Sequence, residues 1–264
     1  MSVIGGLQGH NVYREGRGIR KWCYPSPWGD NGPSVRSLNG MHRNARMLRI
    51  LSGTGCAPEL IEEGDDYTIE EDLGESQPVV SGEALRRNGI RLLWTLQKHR
   101  ISHGDPWIRF PPSVKKGNIV IRGDRPMLID FKMSRFFTEP MFDYREVSDQ
   151  YHFWLNLAGV PSQIPDASGI ISRWLLVVLA YGGEVPGNPL GGKTLLDIGC
   201  GQGDFCAMAA AAGMTAHGID PDDNCIATAN TLWADMAGKV TFSKQHSVDC
   251  DTSPYDIVLH SGKM

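Results

Sequence analysis

Apolar and polar residues alternate along Val12-Tyr13-Arg14 and Ile19-Arg20-Lys21-Trp22, on either side of a glycine-rich turn, and this period of two predicts a β-hairpin. Over 39–51 the period lengthens. Met41, Ala45, Leu48 and Leu51 share one helical face, with arginines beside it, so this stretch is predicted to be a helix. The pattern then returns to strands at 58–62 and 67–71, around an acidic turn. A second amphipathic helix is predicted over 82–100, with Leu85, Gly89, Leu92, Leu93 and Leu96 facing inward. The order so far is β-β-α-β-β, then a helix.

Ile119-Val120-Ile121 and Met127-Leu128-Ile129 flank turn-forming residues at 122–126, which predicts another hairpin. A helix is expected over 143–158, a linker over 159–168 (Gly159, Pro161, Pro165) and a further helix over 169–182. Pro186, Gly187, Pro189, Gly191 and Gly192 break the chain before a buried strand at 193–198. An alanine-rich helix at 205–212 and strands at 215–219, 239–242 and 255–259 follow. No internal repeat is visible. The expected architecture is two domains: an α+β unit over 1–158 and an α/β unit over 193–264, joined by 159–192.

The 264 residues are enough for two modest domains, and a composition of 41% hydrophobic and 21% charged residues is that of an ordinary globule. The apolar stretch 174–181 is far shorter than the ~20 residues a bilayer requires, so no membrane span is expected. The N-terminus lacks a basic segment followed by an apolar run; no signal peptide is expected, and the expected compartment is the cytoplasm. Charge is uneven. Residues 1–150 carry 21 Lys/Arg against 19 Asp/Glu, residues 151–264 only 5 against 11. A mildly basic first half suits phosphate-rich ligands, and an acidic second half argues against a nucleic-acid partner. Six cysteines (Cys23, Cys56, Cys200, Cys206, Cys225, Cys250) form no CxxC pair or zinc spacing, which fits small buried thiols.

Phosphoryl transfer from ATP needs a grip on the triphosphate, a carboxylate to orient the acceptor hydroxyl and oxygen ligands for Mg²⁺. His103-Gly104-Asp105 after a helix, Asn118 before a hairpin and Asp130-Phe131 after it can supply the last two. This ordered set resembles the protein-kinase-like fold, nearest its bacterial sugar- and lipopolysaccharide-kinase and RIO-like branches, over roughly residues 5–158. The resemblance implies a bilobal fold in which Asp105 is the catalytic base and Asn118 and Asp130 hold the metal. It also implies that Lys21 grips the α- and β-phosphates under a turn at Gly6–Gly9. Three departures stand out. Twelve residues separate Asp105 from Asn118, so Trp107–Lys116 must bulge as an extra loop; Lys132 stands where the family has glycine; and helix 39–51 contains no acid. Asn44 occupies the position of the expected glutamate, and an amide cannot neutralise Lys21, which leaves the lysine to be held in some other way.

The run Leu195-Leu196-Asp197-Ile198-Gly199-Cys200-Gly201-Gln202-Gly203 joins a strand to a helix through a glycine turn, and Asp220 ends the next strand. Such glycines let backbone approach a ligand lying over the helix N-terminus. A nicotinamide cofactor is one candidate, but the spacing is GxGxG and Asp204 stands where a third glycine would fall, an anion beside any pyrophosphate. Over 169–264 the pattern resembles the Rossmann-like S-adenosylmethionine-dependent methyltransferases. The resemblance implies that Asp220 binds the ribose, that Asp197 binds the methionine end, and that Gly199, Gly201 and Gly203 line the cofactor.

The expected cofactors are therefore S-adenosyl-L-methionine, ATP and Mg²⁺. The expected function is a bifunctional methyltransferase and kinase-like phosphotransferase acting on a small-molecule or glycan acceptor, such as a lipid-linked sugar. Such a pairing resembles enzymes that cap bacterial surface polysaccharides, although there the methyltransferase comes first. The alternative is a pseudokinase binding module attached to a methyltransferase. The methyltransferase sheet is expected to be incomplete after 255–259, either because the chain is truncated or because a partner chain supplies the missing strands.

Overall fold

The computed structural model describes residues 2–5, 10–23, 35–104, 118–136, 153–154, 157, 165–182 and 190–261. They fall into two units, one made of Met1–Val80 with Ile101–Phe136 and the other of Ser81–Arg100 with Phe137–Met264. Packing thus groups the segment 81–100 with the C-terminal unit, whereas the sequence alone places it before a boundary near 160.

In the first unit an antiparallel sheet runs in the order β1-β2-β3-β5-β4, with β1 Ser2–Gly5, β2 His10–Glu15, β3 Gly18–Cys23, β4 Leu60–Glu63 and β5 Tyr67–Glu71. The expected hairpin is β2/β3, in register from His10 opposite Cys23 to Glu15 opposite Gly18. Helix α1 spans Val35–Leu51, starting four residues before its apolar periodicity does. Its face of Met41, Ala45, Leu48 and Leu51 is buried as expected, together with Met47 and, among the apolar residues, Asn44. Strand β6 (Ile101–Ser102) pairs with β9 (Arg135–Phe136), and β7 (Ile119–Arg122) with β8 (Arg125–Leu128). The two central residues of the β7/β8 turn, Gly123 and Asp124, have φ of 52° and 61°, the left-handed pair that a tight hairpin needs to match strand twist.

The second unit begins with α2 (Gly82–His99), capped by the Ser81 side chain, which accepts from the Ala84 N–H at 3.2 Å. Leu85, Gly89, Leu92, Leu93 and Leu96 are buried, as its periodicity requires. Phe153, Trp154 and Leu157, the described part of the helix expected over 143–158, are helical and pack against Gly89. Helix α3 spans Pro165–Gly182, so the residues from Pro165 on, read from sequence as linker, are its first turn; proline is well suited to the first helical position because the N–H it lacks would have no partner there.

A parallel sheet follows in the order β12-β11-β10-β13, with β10 Thr194–Ile198, β11 Thr215–Asp220, β12 Val240–Lys244 and β13 Ile257–His260. Helix α4 (Asp204–Ala211) links β10 to β11, and α5 (Asp223–Leu232) links β11 to β12. The chain builds outward from β10 on one side and then returns to its other side as β13. In doubly wound sheets this reversal opens a crevice beyond the C-terminal strand ends, where ligands bind. The loop after β10 lies there.

Burial sets which residues carry this sheet. Leu195 is fully buried on the central strand, whereas Val258 on the edge strand is 42% exposed. Leu195→Ala should lower the unfolding free energy by about 2–5 kcal/mol, and Val258→Ala should change it by less than about 1 kcal/mol. Urea denaturation curves of the two variants measure the difference.

Candidate functional sites at two strand ends

The loop after β10 turns through Gly199, Gly201 and Gly203, at φ of 76°, 53° and 80°. These glycines serve different ends. A Cβ on Gly203 would sit 2.5 Å from the Phe242 ring, so this glycine is required by packing. A Cβ on Gly201 would meet nothing within 4 Å; here the backbone borders open space. The loop is tied down by Gly199 and Cys200, whose N–H groups donate to the Ile219 carbonyl at 2.8 and 3.0 Å. Asp220 holds it from the side: its Oδ2 accepts from the Gly201 N–H at 3.0 Å and its Oδ1 from the Asp222 N–H at 2.9 Å. The carboxylate thus builds the loop, and each oxygen keeps a further lone pair for a ligand hydroxyl.

Asp197 is different. It is fully buried, and although Ser261 acts on it as a hydrogen-bonding neighbour, neither carboxylate oxygen makes a hydrogen bond of good geometry among the described residues. Burial pushes its pKa up to about 6, helped by the Asp220 charge and opposed by Ser261 and by the charges of Arg173 and His260. A buried carboxylate without hydrogen bonds is expensive unless a cation or donor completes it. The ammonium of an amino acid would do so.

Asp204, the first residue of α4, is paired. Arg86 of α2 donates to its Oδ2 through Nε at 3.1 Å and through Nη2, and Arg87 Nε lies 3.5 Å from its Oδ1. The anion that sequence reasoning set against a pyrophosphate is therefore largely neutralised by these arginines, and Asp197 rather than Asp204 becomes the discriminating charge. Arg87 also donates to the Gln202 side chain, and Trp233 Nε1 donates to the Gln202 carbonyl at 2.9 Å. Nothing local in the sequence pairs Arg86 with a residue 118 positions away. Cys200 and Cys206 are buried thiols whose pKa values burial raises, so they are inert packing residues; Cys56 is also buried, and Cys225 and Cys250 are partly so.

In the first unit the Asp130 backbone adopts the left-handed conformation, φ 64° and ψ 64°, uncommon for a residue with a Cβ. A turn of 3₁₀ helix, Phe131–Met133, follows. His103 fixes this segment: its Nε2 donates to the Ile129 carbonyl at 3.0 Å, and its ring meets Phe131 edge-on at 4.7 Å. Gly104 passes so close that a Cβ there would lie 2.6 Å from the Met133 carbonyl. The Ile129 N–H donates to the Asn118 carbonyl at 2.9 Å. Three members of the predicted set, His103, Asn118 and Asp130, are thus gathered around one strand end. Asp105, the Gly6–Gly9 turn and the 107–116 loop lie outside the described residues.

Asp130 Oδ1 has no hydrogen-bond partner among the described residues, while Lys132 Nζ stands 3.3 Å from Oδ2. Burial alone would raise the Asp130 pKa, but the charges of Lys21 and Lys132 outweigh it and hold the carboxyl below its ordinary value. No cluster of three or more His, Cys, Asp or Glu forms a metal site among the described residues. Asn118 and Asp130 suit Mg²⁺, which keeps waters and takes phosphate oxygens alongside one or two carboxylates.

The anchor of Lys21 is Glu70, which the sequence reading missed. Its Oε2 accepts from Lys21 Nζ at 2.7 Å, and its Oε1 from Asn44 Nδ2 at 2.6 Å. Lys21 lies directly opposite Thr68, so Glu70, two residues on, shares its face of the sheet. Burial would lower the Lys21 pKa; Glu70, and behind it Asp130, more than offset this and keep the ammonium charged.

Residues 171–261 match a family model described as a methyltransferase domain. No curated protein matches the chain. Among solved structures, the chain is similar to an S-adenosylmethionine-dependent methyltransferase from Thiobacillus denitrificans in complex with S-adenosyl-L-homocysteine, at 25% identity over 28% of this chain and 31% of that one, with a TM-score of 0.26. It is also similar to the bifunctional kinase-methyltransferase WbdD (14% identity, 64% of this chain and 47% of that one, TM-score 0.39) and to monomeric WbdD (17%, 67% and 45%, TM-score 0.44). The chain spans less than half the length of each of these proteins. No helix among the described residues is long and apolar enough to cross a membrane.

The Asp197 carboxyl gives a pH signature. Its pKa in the fold is about 6 against an ordinary 3.8, so the folded state holds this proton more tightly than the unfolded chain. The favourable contribution of the protonated form is complete below the unfolded pKa and is lost as pH rises through 6. Asp197→Asn should therefore raise the stability of the ligand-free protein by up to about 3 kcal/mol at pH 7.5 and leave it nearly unchanged near pH 3.5. Denaturation curves at the two pH values check the sign.

Proposed function

We propose that the chain is a two-site transferase, an S-adenosylmethionine-dependent methyltransferase unit joined to a kinase-like unit that binds Mg-ATP. The observation that carries the first half is Asp197: a buried carboxylate without an ion pair among the described residues, at the crevice end of the central strand, beside a glycine loop that borders open space. S-adenosylmethionine supplies an electrophilic methyl group and carries the ammonium that Asp197 lacks. Asp220 would take the ribose hydroxyls with its remaining lone pairs, and the Gly199–Gly203 backbone would line the cofactor. The match of residues 171–261 to a methyltransferase model supports this assignment.

For the second half, ATP supplies the phosphoryl group. Lys21, kept charged by Glu70, would meet the α- and β-phosphates, Asp130 and Asn118 would hold Mg²⁺, and Asp105 would orient the acceptor hydroxyl. The acceptor class we infer is a glycan or lipid-linked sugar, from the pairing of the two chemistries, and the compartment is the cytoplasm, where both cofactors are supplied. One observation favours a second reading, a nucleotide-free pseudokinase: the Lys132 ammonium beside Asp130 occupies part of the charge a metal would need. The Lys21–Glu70 pair removes the other argument for it, the missing acid in α1.

Crossed substitutions test the two halves separately. Asp220→Ala should weaken S-adenosylmethionine binding roughly 10–100-fold and leave Mg-ATP binding intact. Asp130→Ala should abolish the Mg²⁺-dependent part of ATP binding and leave S-adenosylmethionine binding intact. Calorimetric titration of each variant reads both. NAD bound more tightly than S-adenosylmethionine would overturn the first assignment, and no stabilisation of the wild type by millimolar Mg-ATP would favour the pseudokinase.

A further inference from the structure

Four groups in the first unit form one buried chain of hydrogen bonds. Lys21 Nζ donates to Glu70 Oε2 at 2.7 Å, Asn44 Nδ2 donates to Glu70 Oε1 at 2.6 Å, and the Phe131 N–H donates to Asn44 Oδ1 at 2.7 Å. The lysine comes from β3, the carboxylate from β5, the amide from α1, and the last donor from the residue after Asp130. Asn44 and Glu70 are 1% and 2% exposed, so water does not compete for these bonds.

We propose that Asn44 and Glu70 are positioning residues that lock Lys21 and the Asp130–Phe131 segment together, so that the groups contacting the phosphates and the metal move as one body. The inference rests on the ATP-binding reading of this unit and names the residues that reading lacked. Side-chain chemistry explains why the sequence looks as it does. With the acid on β5, the facing position of α1 must donate to a carboxylate and accept from a backbone N–H at once. An amide does both; a carboxylate there would set two anions against each other, and an apolar residue would leave the Phe131 N–H unpaired and Glu70 Oε1 with only the Thr68 hydroxyl at 3.4 Å. The missing acid of α1 and the presence of Asn44 are thus two aspects of a single arrangement.

The relay acts where the backbone needs it. A left-handed Asp costs about 1 kcal/mol or more and persists only where its surroundings enforce it. Asn44 pins the N–H that follows Asp130, while His103 pins the carbonyl that precedes it. Arg43, one residue before Asn44 on α1, donates to the Lys132 carbonyl at 2.9 Å and holds the next turn.

The full chain tests this by ATP binding with and without Mg²⁺, since Lys21 acts in both conditions and Asp130 only with the metal. Glu70→Gln keeps the acceptor for Asn44 and loses the charge facing Lys21. It should weaken ATP binding roughly tenfold to a hundredfold in both conditions and preserve the enhancement by Mg²⁺. Asn44→Leu should weaken binding and also reduce the enhancement, and the double variant should lose less than the sum of the two losses. Melting curves and S-adenosylmethionine binding report whether each variant is folded; if Asn44→Leu does not fold, the near-isosteric Glu70→Gln and Asn44→Asp carry the test, the latter losing the donor to Glu70 but keeping the acceptor for Phe131. Wild-type protein that binds Mg-ATP while the folded variants bind it within twofold of wild type would overturn the relay and leave the ATP reading standing. Wild-type protein that binds no ATP would overturn both.

Discussion

A carboxylate taken out of water must be given its hydrogen bonds or a counter-charge, and this requirement sorts the acidic residues of both units. Glu70 and Asp204 are buried against cations: Lys21 and Asn44 take the two oxygens of the first, and Arg86 holds Oδ2 of the second, with Arg87 Nε 3.5 Å from an Oδ1 that accepts no hydrogen bond. Asp197 makes no ion pair among the described residues, and Asp130 has Lys132 Nζ 3.3 Å from its Oδ2. Both stand at or just beyond the C-terminal end of a strand. The cation-held acids brace the two units.

The two sites answer the same problem with opposite electrostatics. Burial drives the Asp197 pKa up despite the opposing charges of Arg173 and His260, so a ligand bearing positive charge would complement it. Asp130 lies in the field of Lys21 and Lys132 and is held ionised, the state in which a carboxylate would take a divalent cation. Around each, the chain supplies rigidity through contacts remote in sequence: Arg86 to Asp204 across the start of α4, Asn44 to Phe131 behind the Asp130 carboxylate.

What could be read from sequence follows from how local each signal is. The β2/β3 hairpin, the buried face of α1 and the glycine loop after β10 are written in neighbouring residues, and they stand where periodicity and turn chemistry put them. The strand ending in Asp220 was equally legible. Glu70 was not, because its role depends on cross-strand register with Lys21 rather than on anything within Tyr67–Glu71. Helix α5 leaves a weak signal in the sequence: its start is marked by Asp222, whose side chain accepts from the Asn224 N–H at 2.8 Å, but only one of its residues, Ala229, is buried, so its apolar period is faint. Arg86 read as one more polar position on an amphipathic helix, and only its partner 118 residues away gives it meaning.

The central claim is that one chain holds two separate nucleotide-type cofactors, one at each strand end. Equilibrium titration of the wild-type protein with S-adenosylmethionine in the presence of saturating Mg-ATP, and the reverse, tests it most directly. Two independent sites predict one equivalent of each ligand bound at the same time, with neither displacing the other. Mutual competition, or binding of neither ligand, would contradict the account.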